Sequence, residues 1–177
     1  MTQRRLPREA MREFILSSIR PESRVLDVGC GDGALALAIA RRIPATVVEC
    51  VDGHRSSVIA ANRRFRKSRE ASRLRCRHGY ADRLVAVFGR KRFDYVVANN
   101  ALHEFWAPIR SLREIRAVLK PSGTLLIAEL TPKAGEAVDD CPRYSVRKIQ
   151  ELVERAGFLV EAVRTRGDTI LVRARRS

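Results

Sequence analysis

Three glycines and one aspartate stand close together early in the chain, directly after a short apolar run. Gly29, Gly31 and Gly33 alternate with other residues, and Asp27 lies two positions before the first of them. Glycine permits positive φ and lets a ligand approach the backbone, while free amides at the start of a following helix attract an anion. The stretch 24–34 therefore predicts a strand and a turn that binds a nucleotide-type cofactor.

The spacing of these glycines distinguishes between cofactors. The dinucleotide fingerprint is G-x-G-x-x-G, whereas this chain has G-x-G-x-G preceded by Asp27. An aspartate at the end of a strand places a negative charge in the turn, which suits a ligand with an ammonium group and repels a pyrophosphate. A nicotinamide oxidoreductase is therefore disfavoured, and a purely structural strand-turn-helix remains the alternative.

The string Asp27-x-Gly29-x-Gly31-x-Gly33 resembles motif I of the class I S-adenosylmethionine-dependent methyltransferases. In that family the loop holds the methionine end of the cofactor. The resemblance thus implies an enzyme that uses S-adenosyl-L-methionine and binds it with this loop, including Cys30. From about residue 22 onward it covers nearly the whole chain.

A second acid follows the next predicted strand. Asp52 and Gly53 close the run Thr46-Val47-Val48-Glu49-Cys50-Val51. The family has an acid here that accepts from both ribose hydroxyls, so the resemblance implies that Asp52 and Gly53 bind cofactor. The alternative is an aspartate that opens an ordinary turn before glycine.

The loop after the third strand departs from the family pattern. Many relatives have Gly-Asp-Ala, with the aspartate on the adenine amino group, whereas this chain has Tyr80-Ala81-Asp82. We interpret all three as cofactor-binding residues, with Tyr80 stacking on the base or Asp82 replacing the missing acid. The alternative is a surface residue and a helix cap.

The family places the transferring methyl group after the fourth strand, where this chain has Asn99-Asn100-Ala101-Leu102-His103. The loop is similar to the Leu-His loops of the small-molecule branch, not to the Asn/Asp-Pro-Pro-aromatic sequence. We interpret Asn99 as a cofactor ligand and His103 as a general base or acceptor contact, because histidine titrates near neutral pH. The alternative for His103 is packing at the strand end. Arg143 and Tyr144 lie on the same rim and are expected to contact an anionic or aromatic acceptor, unless they are ordinary loop residues.

Hydrophobic periodicity predicts the elements that position these residues. The predicted order is a helix over 7–19, a strand over 25–28, a helix over 34–42, a strand over 46–51, a helix over 56–65, a strand over 74–78, a short helix over 84–88, a strand over 92–98, a helix over 106–119, a strand over 124–128, a helix capped by Ser145 and ended by Gly157, and strands over 158–165 and 169–175. This alternation predicts an α/β fold with a doubly wound, mostly parallel sheet and helices on both faces. The resemblance implies seven strands, including an antiparallel strand from the C-terminal hairpin.

The 177 residues suit one domain, here an N-terminal helix over 1–20 and a methyltransferase core over 22–177. No apolar run approaches the roughly 18 residues that span a bilayer, and no apolar segment follows the basic N-terminus, so a cytoplasmic location is expected. Four cysteines, at 30, 50, 76 and 141, lack paired metal-ligand spacing. They are expected to be buried side chains in a reducing compartment, with no metal site.

The formal net charge of +15 makes nucleic acid a partner to consider. The alternative is a solvated, arginine-rich surface. Most of the cations, Arg64 and its neighbours among them, are predicted to lie at the sheet edge opposite the cofactor. Arg8, Lys133 and Arg143 are among the few expected on the active rim, so the charge is weak support for an RNA substrate.

The loop after the fourth strand and the lack of an added recognition domain in these 177 residues make transfer of a methyl group from S-adenosylmethionine to a small molecule the first hypothesis. The expected reaction is an in-line displacement, which mainly requires that the nucleophile be aligned with the methyl group. An RNA or protein methyltransferase is the second. A scaffold that binds cofactor without catalysis is the third.

Overall fold

Short β-branched and apolar runs alternate with helices along the chain, and the runs assemble into one sheet. The computed structural model describes residues 5–131 and 143–176, with side chains from residue 8 onward. Its strands are β1 (Arg24–Val28), β2 (Val47–Asp52), β3 (Leu74–His78), β4 (Phe93–Asn99), β5 (Leu119–Leu130), β6 (Phe158–Arg166) and β7 (Thr169–Arg176). Its helices are α1 (Arg5–Ser18), α2 (Ala34–Arg42), α3 (Arg55–Arg66), α4 (Leu84–Phe88), α5 (Pro108–Val118) and α6 (Val146–Arg155).

The sheet has seven strands in the order β3-β2-β1-β4-β5-β7-β6. Strands β1 to β5 pair in parallel, whereas β7 pairs antiparallel with both β5 and β6. The predicted doubly wound fold is confirmed. Strand order reverses between β1 and β4, and ligands of such sheets bind in the crevice outside the carboxyl ends of the strands at this point.

Neighbouring residues of β1 are buried on opposite faces of the sheet. Val25 packs in the cluster that includes Ile15 of α1 and Ile39 of α2, whereas Leu26 packs in the cluster that includes Ile115 of α5. Side chains of a strand alternate between faces, so a strand covered by helices on both sides is a continuous apolar run. The carboxyl ends of β1 and β4 are thereby held in fixed positions.

Several boundaries differ from the predicted ones, and the differences near Trp106 and Pro121 have a physical reason. The helix predicted over 106–119 begins at Pro108, which leaves Trp106 outside it and 99% exposed. The strand predicted over 124–128 extends over 119–130. Pro121 disfavours a helical conformation at Lys120 and has no amide to donate to the preceding turn, so the helix cannot continue through it. The chain is already extended at Leu119.

The first helix, α1, packs against the sheet through one apolar face. Met11, Ile15 and Ile19 follow one another at four-residue spacing and are buried. Met11 and Ile15 therefore share one face of α1, and Ile19, directly after the helix, continues it. The polar side of α1 carries exposed arginines. Among the described helices, none combines the length and the apolar character needed to cross a membrane.

Candidate functional site

Hydrogen bonds to the neighbouring strand β2 hold the glycine loop after β1. The amide of Gly29 donates to the Val51 carbonyl at 2.9 Å, and the amide of Gly31 donates to Oδ2 of Asp52 at 2.9 Å. The other carboxylate oxygen of Asp52, Oδ1, accepts from the His54 amide at 2.9 Å. Asp52 therefore fixes the loop in addition to facing the cavity beside it.

Two glycines of the loop are required for different reasons. Gly31 has φ +54, and a Cβ atom there would meet nothing within 4 Å, so its backbone faces open space where a ligand can approach. Gly33 has φ +74, and a Cβ atom there would lie 2.6 Å from the Phe65 ring. Gly33 thus allows α3 to pack against the start of α2, and it lines neither of the cavities described below.

A cavity of about 310 Å³ lies against the first half of the loop. Asp27, Gly29, Cys30, Gly31 and Asn99 line it. Oδ2 of Asp27 and Oδ1 of Asn99 are buried acceptors without a hydrogen-bond partner in the described part of the chain. Buried polar atoms are normally paired, so two unpaired acceptors beside a cavity fit a ligand with a cationic donor, such as an ammonium group.

Burial controls the charge of Asp27, because this residue is only 1% exposed. The pKa of this carboxyl is raised to about 7, first by desolvation and then by the negative charge of Asp52. Near neutral pH, Asp27 is therefore only partly ionised. A cation placed against it would stabilise the ionised form.

A second cavity of about 410 Å³ lies beside β2 and β3 and shares Gly29 with the first. The predicted cofactor residues Asp52, Gly53, Tyr80, Ala81 and Asp82 line it. A carboxylate that can accept from hydroxyl groups and an aromatic ring suit a sugar and a base. Together the two cavities fit an elongated ligand with an ammonium group at one end and a nucleoside at the other.

Comparison with known proteins shows the family to which this site belongs. Residues 25–123 match the family described as Methyltransferase domain. This range contains the glycine loop, nearly all of β1, and strands β2, β3 and β4. The chain belongs to the class I S-adenosylmethionine-dependent methyltransferases. The family implies that the elongated ligand is S-adenosylmethionine, and the acceptors and cavities described above fit it.

Three proteins, two sequence relatives and one solved structure, show how far the chain resembles other members of the family. An uncharacterized methyltransferase of Mycobacterium tuberculosis is 39% identical over 103 residues, which are 58% of this chain and 48% of the relative. The malonyl-[acyl-carrier protein] O-methyltransferase of Geobacter sulfurreducens is 26% identical over 180 residues, covering 88% of this chain and 62% of the relative. The matched region thus spans about half the length of the mycobacterial relative.

The third is a solved structure, a SAM dependent methyltransferase from Aquifex aeolicus. It superposes with a TM-score of 0.80 at 22% identity and covers 97% of this chain and 89% of that one. At this identity the likeness concerns the fold alone.

The loop after β4 positions His103 in a buried pair. Nδ1 of His103 lies 2.8 Å from Oε2 of Glu129, and Oε1 of Glu129 accepts from the Leu102 amide at 2.7 Å. An ionised carboxylate only accepts, so we assign the proton to Nδ1 and leave Nε2 as the basic nitrogen. Nε2 lies 3.8 Å from a carboxylate oxygen of Glu104. His103 lines neither of the two cavities, and its role as a base stays a prediction.

The other predicted rim residues have different surroundings. Nη1 of Arg143 donates to Oδ1 of Asn100 at 2.9 Å, and Asn100 lines the first cavity. Tyr144 is half-buried and packs against the apolar core. Tyr80 is 57% exposed, and its ring meets His78 edge to face. Lys133 and Cys141 lie outside the described residues.

Sequence reasoning missed Arg12, Asn100 and Glu129. Arg12 follows Arg8 by four positions, so the two share a helix face, and both line the first cavity. The spacing alone could have grouped them. Their place above the glycine loop, and the contact of Glu129 with His103, depend on how distant segments pack.

The predicted position of Arg64 is wrong. We expected it at the edge opposite the cofactor, but its Nε donates to the Asp32 carbonyl at 2.9 Å and its Nη2 pairs with the Asp32 carboxylate, within the glycine loop. The close approach of Phe65 to Gly33 brings this turn of α3 beside the start of α2. A long arginine side chain then reaches the loop.

Three cysteines meet beneath the glycine loop. Cys30, Cys50 and Cys76 are buried free thiols, and the Sγ atoms of Cys30 and Cys76 are 3.4 Å apart. Burial raises the pKa of Cys50 to about 11, so this thiol stays protonated and unreactive at neutral pH. Within the described residues, no group of three or more His, Cys, Asp or Glu side chains is arranged to hold a metal ion.

Proposed function

We propose that this methyltransferase transfers the methyl group of S-adenosylmethionine to a small molecule that carries a carboxylate. The observation that supports this acceptor is the group of cations around the first cavity. Arg8 and Arg12 line it, and Arg143 bonds to its lining residue Asn100. Bound S-adenosylmethionine supplies an activated methyl group on a sulfonium ion.

The number of these cations exceeds what the cofactor needs. The methionine end of S-adenosylmethionine has one carboxylate, which one or two of the arginines can neutralise. Arg8 and Arg12 are exposed and make no ion pair with another residue in the described part of the chain. A guanidinium binds a carboxylate through two parallel hydrogen bonds. A second carboxylate, from the acceptor, would use the remaining positive charge.

A carboxylate acceptor also suits the position of His103. Carboxylic acids are ionised at neutral pH, so no base has to remove a proton before transfer. The side chains of the site then need only align the acceptor oxygen and exclude water. The pairing of His103 with Glu129 would instead hold the loop after β4 against β5.

One relative supports an oxygen acceptor of this kind. The Geobacter sulfurreducens protein is named as an O-methyltransferase for malonyl-[acyl-carrier protein], and a malonyl group ends in a carboxylate. For the present protein we propose the same functional group. A free acid and a carrier-bound acyl group are separate arms of the test.

Transfer of a labelled methyl group tests the proposed function. The protein is incubated with methyl-labelled S-adenosylmethionine and, in separate reactions, with short-chain carboxylic acids, carrier-bound malonyl groups, amines, phenols and bulk RNA. We expect label in base-labile esters of the acids. Label confined to amines, phenols or RNA would refute the carboxylate acceptor, and cofactor binding without labelling of any acceptor would favour the non-catalytic scaffold.

Replacing Arg143 tests whether it binds the acceptor. Arg143→Gln is expected to raise the KM for a carboxylate acceptor by about tenfold or more, because a hydrogen bond to a charged group contributes roughly 1.5–3 kcal/mol. The Kd for the cofactor, measured by calorimetry, should change by less than about threefold. Arg147→Gln removes an exposed charge from the same segment and serves as the control. Equal KM values for the two variants would contradict the assignment.

The variant His103→Asn separates a base from a positioning residue. The asparagine amide nitrogen can take the place of Nδ1 and donate to Glu129, but nothing replaces the basic Nε2 atom. We expect kcat to stay within about threefold of the wild-type value. We expect His103→Leu, which removes the partner of Oε2 of Glu129, to lower Tm. Loss of general-base catalysis would instead reduce kcat by about 10²–10⁴-fold, and that result would support the general-base role predicted from the sequence.

A further inference from the structure

We propose that this protein has a second binding site, for the phosphodiester backbone of RNA, in a cleft at the sheet edge opposite the cofactor. The cleft has a volume of about 480 Å³. Five arginines line it, together with small residues of the adjacent turns, and we call it the arginine cleft: Arg90, Arg113, Arg116, Arg155 and Arg176. Nothing in the methyl-transfer chemistry proposed above uses these side chains.

The topology separates the arginine cleft from the methyl-transfer site. Arg176 ends β7, which runs antiparallel to β5, so it lies at the edge where the parallel strands begin. Ala117 in the last turn of α5 and Ala156 directly after α6 also line the cleft. The cofactor loops lie at the other end of these strands. A ligand can therefore occupy the cleft without covering the cofactor.

Three of the arginines also have structural roles. Nε of Arg116 donates to the Gly157 carbonyl at 2.8 Å, and Nη1 of Arg176 donates to the Leu119 carbonyl at 2.6 Å. Arg155 pairs with Glu151 at 3.2 Å. Cations near helix C-termini and carbonyl groups are stabilising, which accounts for these three side chains without a ligand.

Arg90 and Arg113 have no such explanation. Both are exposed, and neither makes a hydrogen bond or ion pair with its side chain in the described ranges 5–131 and 143–176. None of the described residues that line the cleft has a carboxylate side chain. Like charges that converge on one cleft repel one another, so a bound anion would stabilise the arrangement. The planar guanidinium fork matches the oxygens of a phosphate group.

The composition of the cleft favours nucleic acid over an acidic protein. Protein interfaces depend on buried aromatic and apolar anchors, yet the lining residues that the structure describes are arginine, alanine and glycine. Binding to a nucleic-acid backbone is dominated by charge and requires no such anchor. The adjacent residues Lys91 and Arg92 are exposed and extend the positive surface, which suits a long polyanion more than a single small anion.

The experiment measures binding of a fluorescein-labelled oligouridine by anisotropy as a function of salt. The double variant Arg90→Gln/Arg113→Gln is compared with Arg63→Gln/Arg69→Gln, which removes two exposed arginines of the opposite flank. Both variants have the same net charge. We expect the cleft variant to bind RNA at least about tenfold more weakly and the control to change by less than about threefold. The slope of log affinity against log salt should fall by about 1.4 in the cleft variant, since each cation contributes about 0.7 for single strands.

Three results would overturn the proposal. The first is an equal loss of RNA affinity in the cleft variant and the control variant. The second is no binding of RNA by the wild-type protein at about 50 mM salt. The third is binding of polyglutamate that depends in the same way on Arg90 and Arg113. The last result would identify an acidic protein as the partner. Calorimetry with S-adenosylmethionine and thermal unfolding are run on each variant and should be unchanged. The RNA result is thereby independent of whether the carboxylate acceptor proves correct.

Discussion

Asp27→Asn is expected to weaken S-adenosylmethionine binding by at least about 100-fold and, at the same time, to stabilise the free protein. Oδ2 of Asp27 is buried without a partner at the cavity that fits the ammonium group. Removing one partner of a buried ion pair costs about 3–5 kcal/mol, which is roughly 10²-fold or more in Kd. Calorimetry measures the affinity, and thermal unfolding measures the stability.

The gain in stability depends on pH because the pKa of Asp27 is raised from 3.8 to about 7 on folding. Between these values the folded protein holds a proton that the unfolded chain releases, so the wild-type free energy of unfolding falls as pH rises through this window and levels off above it. Asparagine removes this dependence. We expect the variant to gain a few kcal/mol, in order of magnitude, above pH 7 and nothing near pH 4.

Cofactor affinity should show the opposite pH dependence. The ammonium group requires the ionised form of Asp27, so wild-type affinity is expected to fall about tenfold per unit below pH 7. The affinity of Asp27→Asn should be nearly constant over the same range. Glu9→Gln, which removes an exposed carboxylate from α1, should behave as the wild type. A wild-type affinity that is constant from about pH 5 to pH 8 would contradict the assignment of Asp27 to the ammonium group.

Asp52→Asn is expected to weaken cofactor binding by about 100-fold, for a different reason. Its carboxylate already accepts from the amides of Gly31 and His54, and each oxygen has a second lone pair for a ribose hydroxyl. Asparagine has one accepting oxygen, and its NH₂ group must face a donor on the other side. Losing two hydrogen bonds to a charged group, each about 1.5–3 kcal/mol, corresponds to this magnitude.

Asp52→Asn also tests the electrostatic interaction between Asp52 and Asp27. The charge of Asp52 contributes to the raised pKa of Asp27, so Asp52→Asn should lower that pKa and move the pH dependence of cofactor binding to lower pH. Glu49→Gln is the matched control, because Glu49 lies on the same strand but pairs with Arg24 and Arg77. Its cofactor Kd should stay within about threefold of the wild-type value. If Asp52→Asn binds as tightly as Glu49→Gln, Asp52 does not hold the ribose.

The sequence alone was sufficient for the architecture and the family. Alternation of apolar runs with helical periodicity predicts the parallel sheet, because each strand must bury both faces between helices. The spacing of Asp27 and the three glycines predicts the loop, because positive φ and close approach are local steric requirements. Such properties depend on residues near one another in the chain.

Tertiary structure alone decided the electrostatics of the molecule. The pKa of Asp27 is raised first by burial among packed elements and then by the charge of Asp52 on the neighbouring strand. The pairing of His103 requires Glu129 from β5, and Arg64 reaches the glycine loop only because α3 packs on Gly33. The arginine cleft likewise combines the ends of helices and strands that are far apart in the chain. Charge interactions depend on distance and burial, and both are set by packing between distant segments, which a linear pattern of residues does not specify.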